Sequence, residues 1–234
     1  MGGKTRKETS AVAEELRTLL AGNPLEESIH QFFADRIFKI GHGNPRASAR
    51  FIAGTVSKFP ITPDRIPDFC SAVLHVAPTQ SPSSVSFVEL KRPNSPLYTA
   101  GHRLMSKDLN DAWVECVETS RLIADSFREF LRRLVKALDQ KRFLGFDKAY
   151  GTLEGESSDL RHYLLYDTLM PRINSVIVIG RRASLDSEGL LRTREISAAT
   201  GNAIRVVTYD TVLDWISEAD DEDRSNIFMR GWYW

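Results

Sequence analysis

Only two cysteines, Cys70 and Cys116, occur in the 234 residues. They stand far apart without Cys-x-x-Cys spacing, which argues against a cysteine zinc site and a disulfide framework. Both lie in apolar runs and read as small buried hydrophobes. No stretch approaches the ~20 consecutive apolar residues of a membrane span, so no membrane partner is expected. The opening "MGGKTRKETS" has no apolar signal-peptide core, and a reducing cytoplasm is the expected compartment. An excess of one charge is missing as well. The 31 Lys+Arg residues balance 31 Asp+Glu residues, for a formal net charge of +0. No global basic field attracts nucleic acid, so any polyanion site has to be local. There is no Gly-x-Ser-x-Gly, which excludes a nucleophile elbow. Gly3-Lys4-Thr5 has neither the earlier glycine nor the preceding strand of a phosphate-binding loop. "GHGNP" reads as a turn. His30, His42, His75, His102 and His162 show no metal-ligand spacing and read as structural. Neither an internal repeat nor a long linker divides the chain.

The composition that remains, 42% hydrophobic and 26% charged, is that of a globular chain long enough for a sizeable core. Several arginines cluster: Arg132-Arg133, Arg181-Arg182, Arg192 and Arg194. Arginine suits bidentate phosphate contact, although for each one a solvated helix face is the commoner role.

The order of elements follows from periodicity. "SAVAEELRTLLAGNP" predicts a helix capped by Ser10 and stopped at Gly22. A second helix begins near Pro24, with Leu25, Ile29, Phe32, Phe33 and Ile37 at helical spacing. The Gly- and Pro-broken stretch that follows has room for one short strand. "DFCSAVLHVA" and "VSFVELK" predict two strands of a hairpin. One long helix is expected from Lys107 to Gln140 on the stripe Leu109, Trp113, Cys116, Ile123, Phe127, Phe130, Leu134 and Leu138. "GFDKAYGTLEGESSD" reads as a loop and "LRHYLLYDTLM" as a short helix. "INSVIVIG" has the continuous apolar pattern of a buried strand. "DSEGLLRTREISAAT" predicts a helix, "IRVVTYD" a strand, and "TVLDWISEA" a helix capped by Asp210 or Thr211. The tail is acidic and then aromatic; "FMRGWYW" either folds back on the core or docks on another subunit. The expected fold is α/β, a mixed central sheet flanked by helices.

The chemistry concentrates in "SVSFVELKRPNSP". Alternation along a strand puts Val85, Phe87, Glu89 and Lys91 on one face. Hairpin pairing brings Asp68 of "PDF" opposite Glu89 and Lys91. Two converging carboxylates repel unless a cation joins them. A hard divalent ion with oxygen ligands suits them, magnesium first and manganese as its substitute. The Leu90 carbonyl is a further candidate ligand. Lys91 then orients a water or steadies negative charge. The tripeptide Glu89-Leu90-Lys91 equally describes a surface ion pair, as Asp139-Gln140-Lys141 does. Three features raise it: the upstream Pro-Asp-Phe, a lysine that ends its strand before Pro93, and the long helix directly after.

That order, helix, hairpin with the acidic pair, helix, strand, resembles the PD-(D/E)XK nuclease core. "VELKRPNSPL" after "IPDF", with "NPLEESIHQFF" upstream and "VIVIGRR" and "RVVTYDTVLDW" downstream, resembles the nuclease domain of the Shedu anti-phage defence proteins. The likeness runs roughly from Asn23 to Ile216. It implies a restriction-endonuclease-like core over 23–219, after an N-terminal helical extension over 1–22 and before a tail over 220–234. It implies Asp68, Glu89 and Lys91 as the nuclease triad. Glu27 matches the family's acidic position on the first helix, as a metal ligand or a solvated residue. Glu115 stands where relatives usually carry glutamine, near the triad, and is a further catalytic candidate as acceptor from Lys91 or a metal-bound water. Arg92 and Arg103 are candidate phosphate contacts with little base specificity. The implied activity is magnesium-dependent DNA cleavage in antiviral defence, by a homo-oligomer, with sensing left to a separate regulatory partner. Two other readings stand beside it: a catalytically silent nucleic-acid-binding module of the same fold, and a scaffolding protein.

Overall fold

A computed structural model describes residues 5–38, 51–75, 84–99, 101, 104–140, 148–153, 172–201 and 203–218. In chain order its main elements are α1 (Thr5–Ala21), α2 (Glu26–Phe32), β1 (Phe51–Ser57), β2 (Phe69–His75), β3 (Ser84–Leu90), α3 (Lys107–Asp125), α4 (Phe127–Gln140), β4 (Lys148–Leu153), β5 (Arg172–Val178), α5 (Ser187–Ala199), β6 (Ile204–Val207) and α6 (Tyr209–Glu218). The strands form one six-stranded sheet in the order β4-β1-β2-β3-β5-β6. The first four of that order pair antiparallel, and β3-β5-β6 pair parallel. The protein is therefore mixed α/β, with a mixed sheet flanked by helices. No helix of the described residues is long and apolar enough to cross a membrane.

Side-chain alternation divides the core between the two faces of the sheet. Phe69, Val88, Leu90, Val176 and Val178 pack against α1, α2 and α6 through Leu16, Ile29, Phe33 and Val212. On the other face, Val56, Cys70, Val85 and Phe87 meet Ile123, Phe130 and Leu134 of α3 and α4. Ile177, Ile179, Ile204 and Val206 meet Leu109, Ala112 and Cys116 of α3 and Ile196 of α5. The unbroken apolar run of β5 is thus explained: both of its faces are covered. Cys70 and Cys116 are buried free thiols, as their surroundings suggested.

The helix expected as an N-terminal extension contributes Val12, Ala13, Leu16 and Leu20 to the same core as α6. It starts at Thr5, so Ser10 lies inside it and does not cap it. α2 runs into a π-type turn over Phe33–Ile37, closed by the Phe38 amide on the Phe33 carbonyl at 3.0 Å. The looser turn keeps Phe33, Ala34 and Ile37 all buried.

Three other expectations are corrected. The long helix is two helices, broken at Ser126 with φ −133° and ψ 35°. Its apolar stripe runs across the break without losing period, so hydrophobicity alone could not reveal it. Part of the stretch read as a loop after α4 is β4, which pairs antiparallel with β1 from Ile52↔Leu153 to Ser57↔Lys148. Gly151 lies opposite Gly54 in that ladder. α6 starts at Tyr209, and the Thr208 hydroxyl accepts from the Thr211 amide at 3.3 Å. Asp210, a candidate cap, instead accepts from the Arg181 guanidinium and the Arg182 amide. The expected helix "LRHYLLYDTLM", the "GHGNP" turn and the aromatic tail lie outside the described residues.

Gly180, just after β5, has φ +64°, and a Cβ there would stand 2.5 Å from Leu97 Cδ1 and 2.8 Å from the Ser95 carbonyl oxygen. Its own carbonyl accepts from the Tyr209 amide at 3.1 Å. Gly180→Ala is expected to lower stability by about 1–3 kcal/mol, read from the urea unfolding midpoint at unchanged m-value. A midpoint equal to that of the wild type would contradict the close approach.

Candidate active site at the end of the sheet

The C-terminal ends of β1, β3 and β5 and the start of β2 meet at one end of the sheet. Phe69↔Val88 is the last pair of the β2–β3 ladder, and Asp68 and Glu89 are the next residues beyond it on the two strands. Asp68 lies close enough for its charge to act on Glu89. Asp68 is buried. Its Oδ2 accepts from the Leu90 amide at 2.7 Å. Its Oδ1 takes the ammonium of Lys58, which follows β1. Leu90, expected to offer its carbonyl, is thus engaged with Asp68 through its amide.

Lys91 is fixed on both sides of its peptide. Its amide donates to the Val178 carbonyl at 2.9 Å. Its carbonyl accepts from the buried Tyr209 hydroxyl at 2.6 Å. With the backbone held, the ammonium reaches Glu89 Oε1 at 3.0 Å and Glu115 Oε2 at 3.7 Å. Glu115 comes from α3, whose Ala112 and Cys116 face the sheet. Glu115 accordingly pairs with Lys91.

Two cavities share Glu115. One, of about 240 Å³, is lined by Pro63, Ile66, Pro67, Phe87, Glu89 and Cys116 among others. The second, of about 530 Å³, is lined by Glu26, Lys91, Arg92, Asn94, Asp108 and Asp111 among others. Arg92, a candidate phosphate contact, lies past the strand end and lines the same cavity as Lys91. Arg103 and His102 lie outside the described residues. Arg181 and Arg182 are committed to Asp210 and Asp214. Arg133 bonds the Pro60 and Ile61 carbonyls.

Glu27 is exposed, in keeping with the solvated one of its two readings, whereas Glu26 lines the cavity with Lys91. Glu26, which the sequence reading did not single out, shares i, i+3, i+4, i+7 spacing with Ile29, His30 and Phe33. His30 itself is buried, stacks on Phe69 at 4.6 Å and bonds Ser57 at 3.0 Å. Lys58 and Tyr209 were missed. Lys58 belongs to no motif, and the Tyr209 hydroxyl is aimed by the fold of a distant segment.

Burial shapes the electrostatics. Glu89 is raised by burial and by the facing Asp68, with Glu115 adding to both, and Lys91 offsets only part. Burial disfavours the Lys91 ammonium, but Glu89, Glu115 and Glu26 hold it above its ordinary value. Lys58 likewise loses hydration, and Asp68 more than restores its charge. Glu26 is raised, by burial first.

The donor set can be tested against the divalent ion the resemblance implies. Among the described residues, no group of three or more His, Cys, Asp or Glu side chains is poised to hold a metal. Magnesium asks for less than that. It commonly binds one or two carboxylates and takes its other oxygens from water and phosphate. Asp68, Glu89 and the Leu90 carbonyl all offer oxygen, and Asp68 acts against the charged form of Glu89, a repulsion that a divalent ion would relieve. The residues fit the ion on their chemistry.

Metal-free protein should show the Glu89 effect in its stability. From the ordinary carboxylate value to about 8, folded Glu89 keeps a proton that the unfolded chain has released. The native state then binds more protons, so stability falls as pH rises through that window. Urea unfolding in EDTA at about pH 5 and about pH 8 should show this loss, and Glu89→Gln should flatten it. An equal pH slope in both proteins would contradict a raised Glu89.

Comparison with protein-family models finds no family that matches this chain, and comparison with curated proteins finds no relative.

Proposed function

We propose that this protein is a metal-dependent DNA endonuclease with a restriction-endonuclease-like core, acting in bacterial antiviral defence. The observation that carries the reading is the apposition of Asp68 and Glu89 at a strand end, with Lys91 bonded to Glu89 at 3.0 Å. The order of helix, antiparallel strands, helix and parallel strand supports the fold assignment. The resemblance of "IPDF" and "VELKRPNSPL" to Shedu nuclease domains supports the biological role.

Asp68, Glu89 and the Leu90 carbonyl would hold magnesium or manganese. When bound, the ion supplies Lewis-acid stabilisation of charge on the scissile phosphate. In the hydrolysis a water oxygen bonds to phosphorus as the bond to the leaving sugar oxygen breaks, and that oxygen takes up a proton. Lys91 would hold a phosphate oxygen or the attacking water, from a backbone fixed by Val178 and Tyr209. The Leu90 amide keeps Asp68 from rotating. Arg92, at the cavity wall, would contact a backbone phosphate without reading sequence. Glu115 competes for Lys91 at 3.7 Å, which favours a second reading as a nucleic-acid-binding module that has lost cleavage.

Purified protein incubated with linear and supercoiled DNA should cut in magnesium or manganese and not in EDTA. Glu89→Ala and Lys91→Ala, checked for folding by circular dichroism, should each lose about 10²-fold or more of the rate. Glu115→Gln should cut at least as fast as the wild type. Identical background in the wild type and both alanine variants would defeat the enzyme reading, and DNA retained without cleavage would favour the binding module.

A further inference from the structure

Lys58 is one of two non-glycine residues with positive φ among the described residues, at +49°. A residue with a Cβ is strained there and persists only where its surroundings fix it. The fixing bond is on the page: the Lys58 amide donates to the Asp68 carbonyl at 2.9 Å. The left-handed turn directs the side chain back over the start of β2, where its ammonium meets Asp68 Oδ1.

The two partners of the Asp68 carboxylate differ in kind. The Leu90 amide, at 2.7 Å from Oδ2, is part of a strand and cannot leave without breaking the sheet. Lys58 is held by a flexible stem. Its side chain is 36% exposed against 4% for Asp68, so the lysine can swing into solvent while the carboxylate stays. Glu89, Glu27 and Glu26, all negative, also act on Lys58. The ammonium thus sits where the site's negative field would draw any cation.

We propose that Lys58 is a displaceable counter-ion of Asp68, which neutralises the carboxylate in metal-free protein and must give way when a divalent cation binds at Asp68 and Glu89. The idea rests on the metal-site reading given above and adds its regulation. Resting affinity for the ion is set by competition with a tethered lysine. The Leu90 bond means that the carboxylate is already oriented when the lysine departs.

Manganese binding followed by electron paramagnetic resonance tests this without any cleavage assay. Lys58→Met removes the competitor and should bind Mn²⁺ about tenfold more tightly than the wild type. Lys58→Asn tests the same loss of charge with a residue that tolerates left-handed backbone, and guards against misfolding of the first variant. Lys58→Arg should keep wild-type affinity. In EDTA both neutral variants should melt below the wild type, and Mn²⁺ should raise their melting temperature by more than it raises that of the wild type. Unchanged or weaker Mn²⁺ binding in folded Lys58→Met and Lys58→Asn, with the wild type still binding, would overturn the counter-ion role and leave the metal site standing. No Mn²⁺ binding in the wild type or any variant would overturn both.

Discussion

Asp68 and Glu89 face each other because Phe69 pairs with Val88, and everything proposed for the site follows from that register. A slip of one residue between β2 and β3 would send every side chain of one strand to the opposite face. The slip is prevented from both sides. Phe69 and Val88 are buried against α1, α2 and α6, while Cys70 and Phe87 are buried against α3 and α4. Polar groups would not hold the pairing so firmly, since a one-sided strand can trade partners at lower cost. The apolar ladder thus forces two carboxylates together at its end, where repulsion alone would drive them apart.

The strand end is finished by a second set of constraints. Pro93 cannot donate to a ladder, so β3 stops short of it, while just past β5 the Ile179 amide still donates to the Val207 carbonyl at 3.0 Å. The Lys91 peptide is left at the rim, tied to β5 by its amide and to Tyr209 by its carbonyl. Gly180 lets the chain after β5 pass close to Ser95 and Leu97. The loop after β3, the loop after β5 and the start of α6 thereby lock one another. This is the region where the parallel strands β3 and β5 end, the usual place for a ligand in an open sheet of this kind.

How much of this was legible follows from range. Alternation in β3 put Glu89 with Phe87 and Lys91, and the hairpin put Asp68 across from it, because both depend on neighbours in one ladder. The apolar run of β5 announced a strand covered on both faces. The break at Ser126 was hidden, since Cys116 and Ile123 keep the helical period while facing different parts of the core. β4 was hidden because its strand character comes from pairing with β1, about a hundred residues earlier, rather than from its own composition. Glu26 was within reach: the helix period that buries Ile29 and Phe33 also turns Glu26 to the cavity that Lys91 lines, while Glu27 stays exposed. Lys58 was not, because its role comes from a backbone angle and a bond to a residue ten positions away.

The charge balance of the site carries the last step. Glu26, Asp68, Glu89 and Glu115 surround Lys58 and Lys91, and each lysine is drawn to more than one of them. Of the nearby arginines, Arg92 lines the cavity, but Arg65 pairs with Glu118, and Arg181 and Arg182 pair with acids of α6. A phosphodiester arriving here would add another negative charge to a cleft already short of positive charge. Coulomb repulsion in a partly buried cleft would oppose it unless a divalent cation entered first or with it. A glutamine at position 115 would lower that opposition by one full charge and free Lys91 from a competitor at 3.7 Å. On the proposed metal-site reading, the glutamate would make the site more dependent on a cation than a glutamine would, and Lys58, already seated on Asp68, would be the group that such a cation displaces.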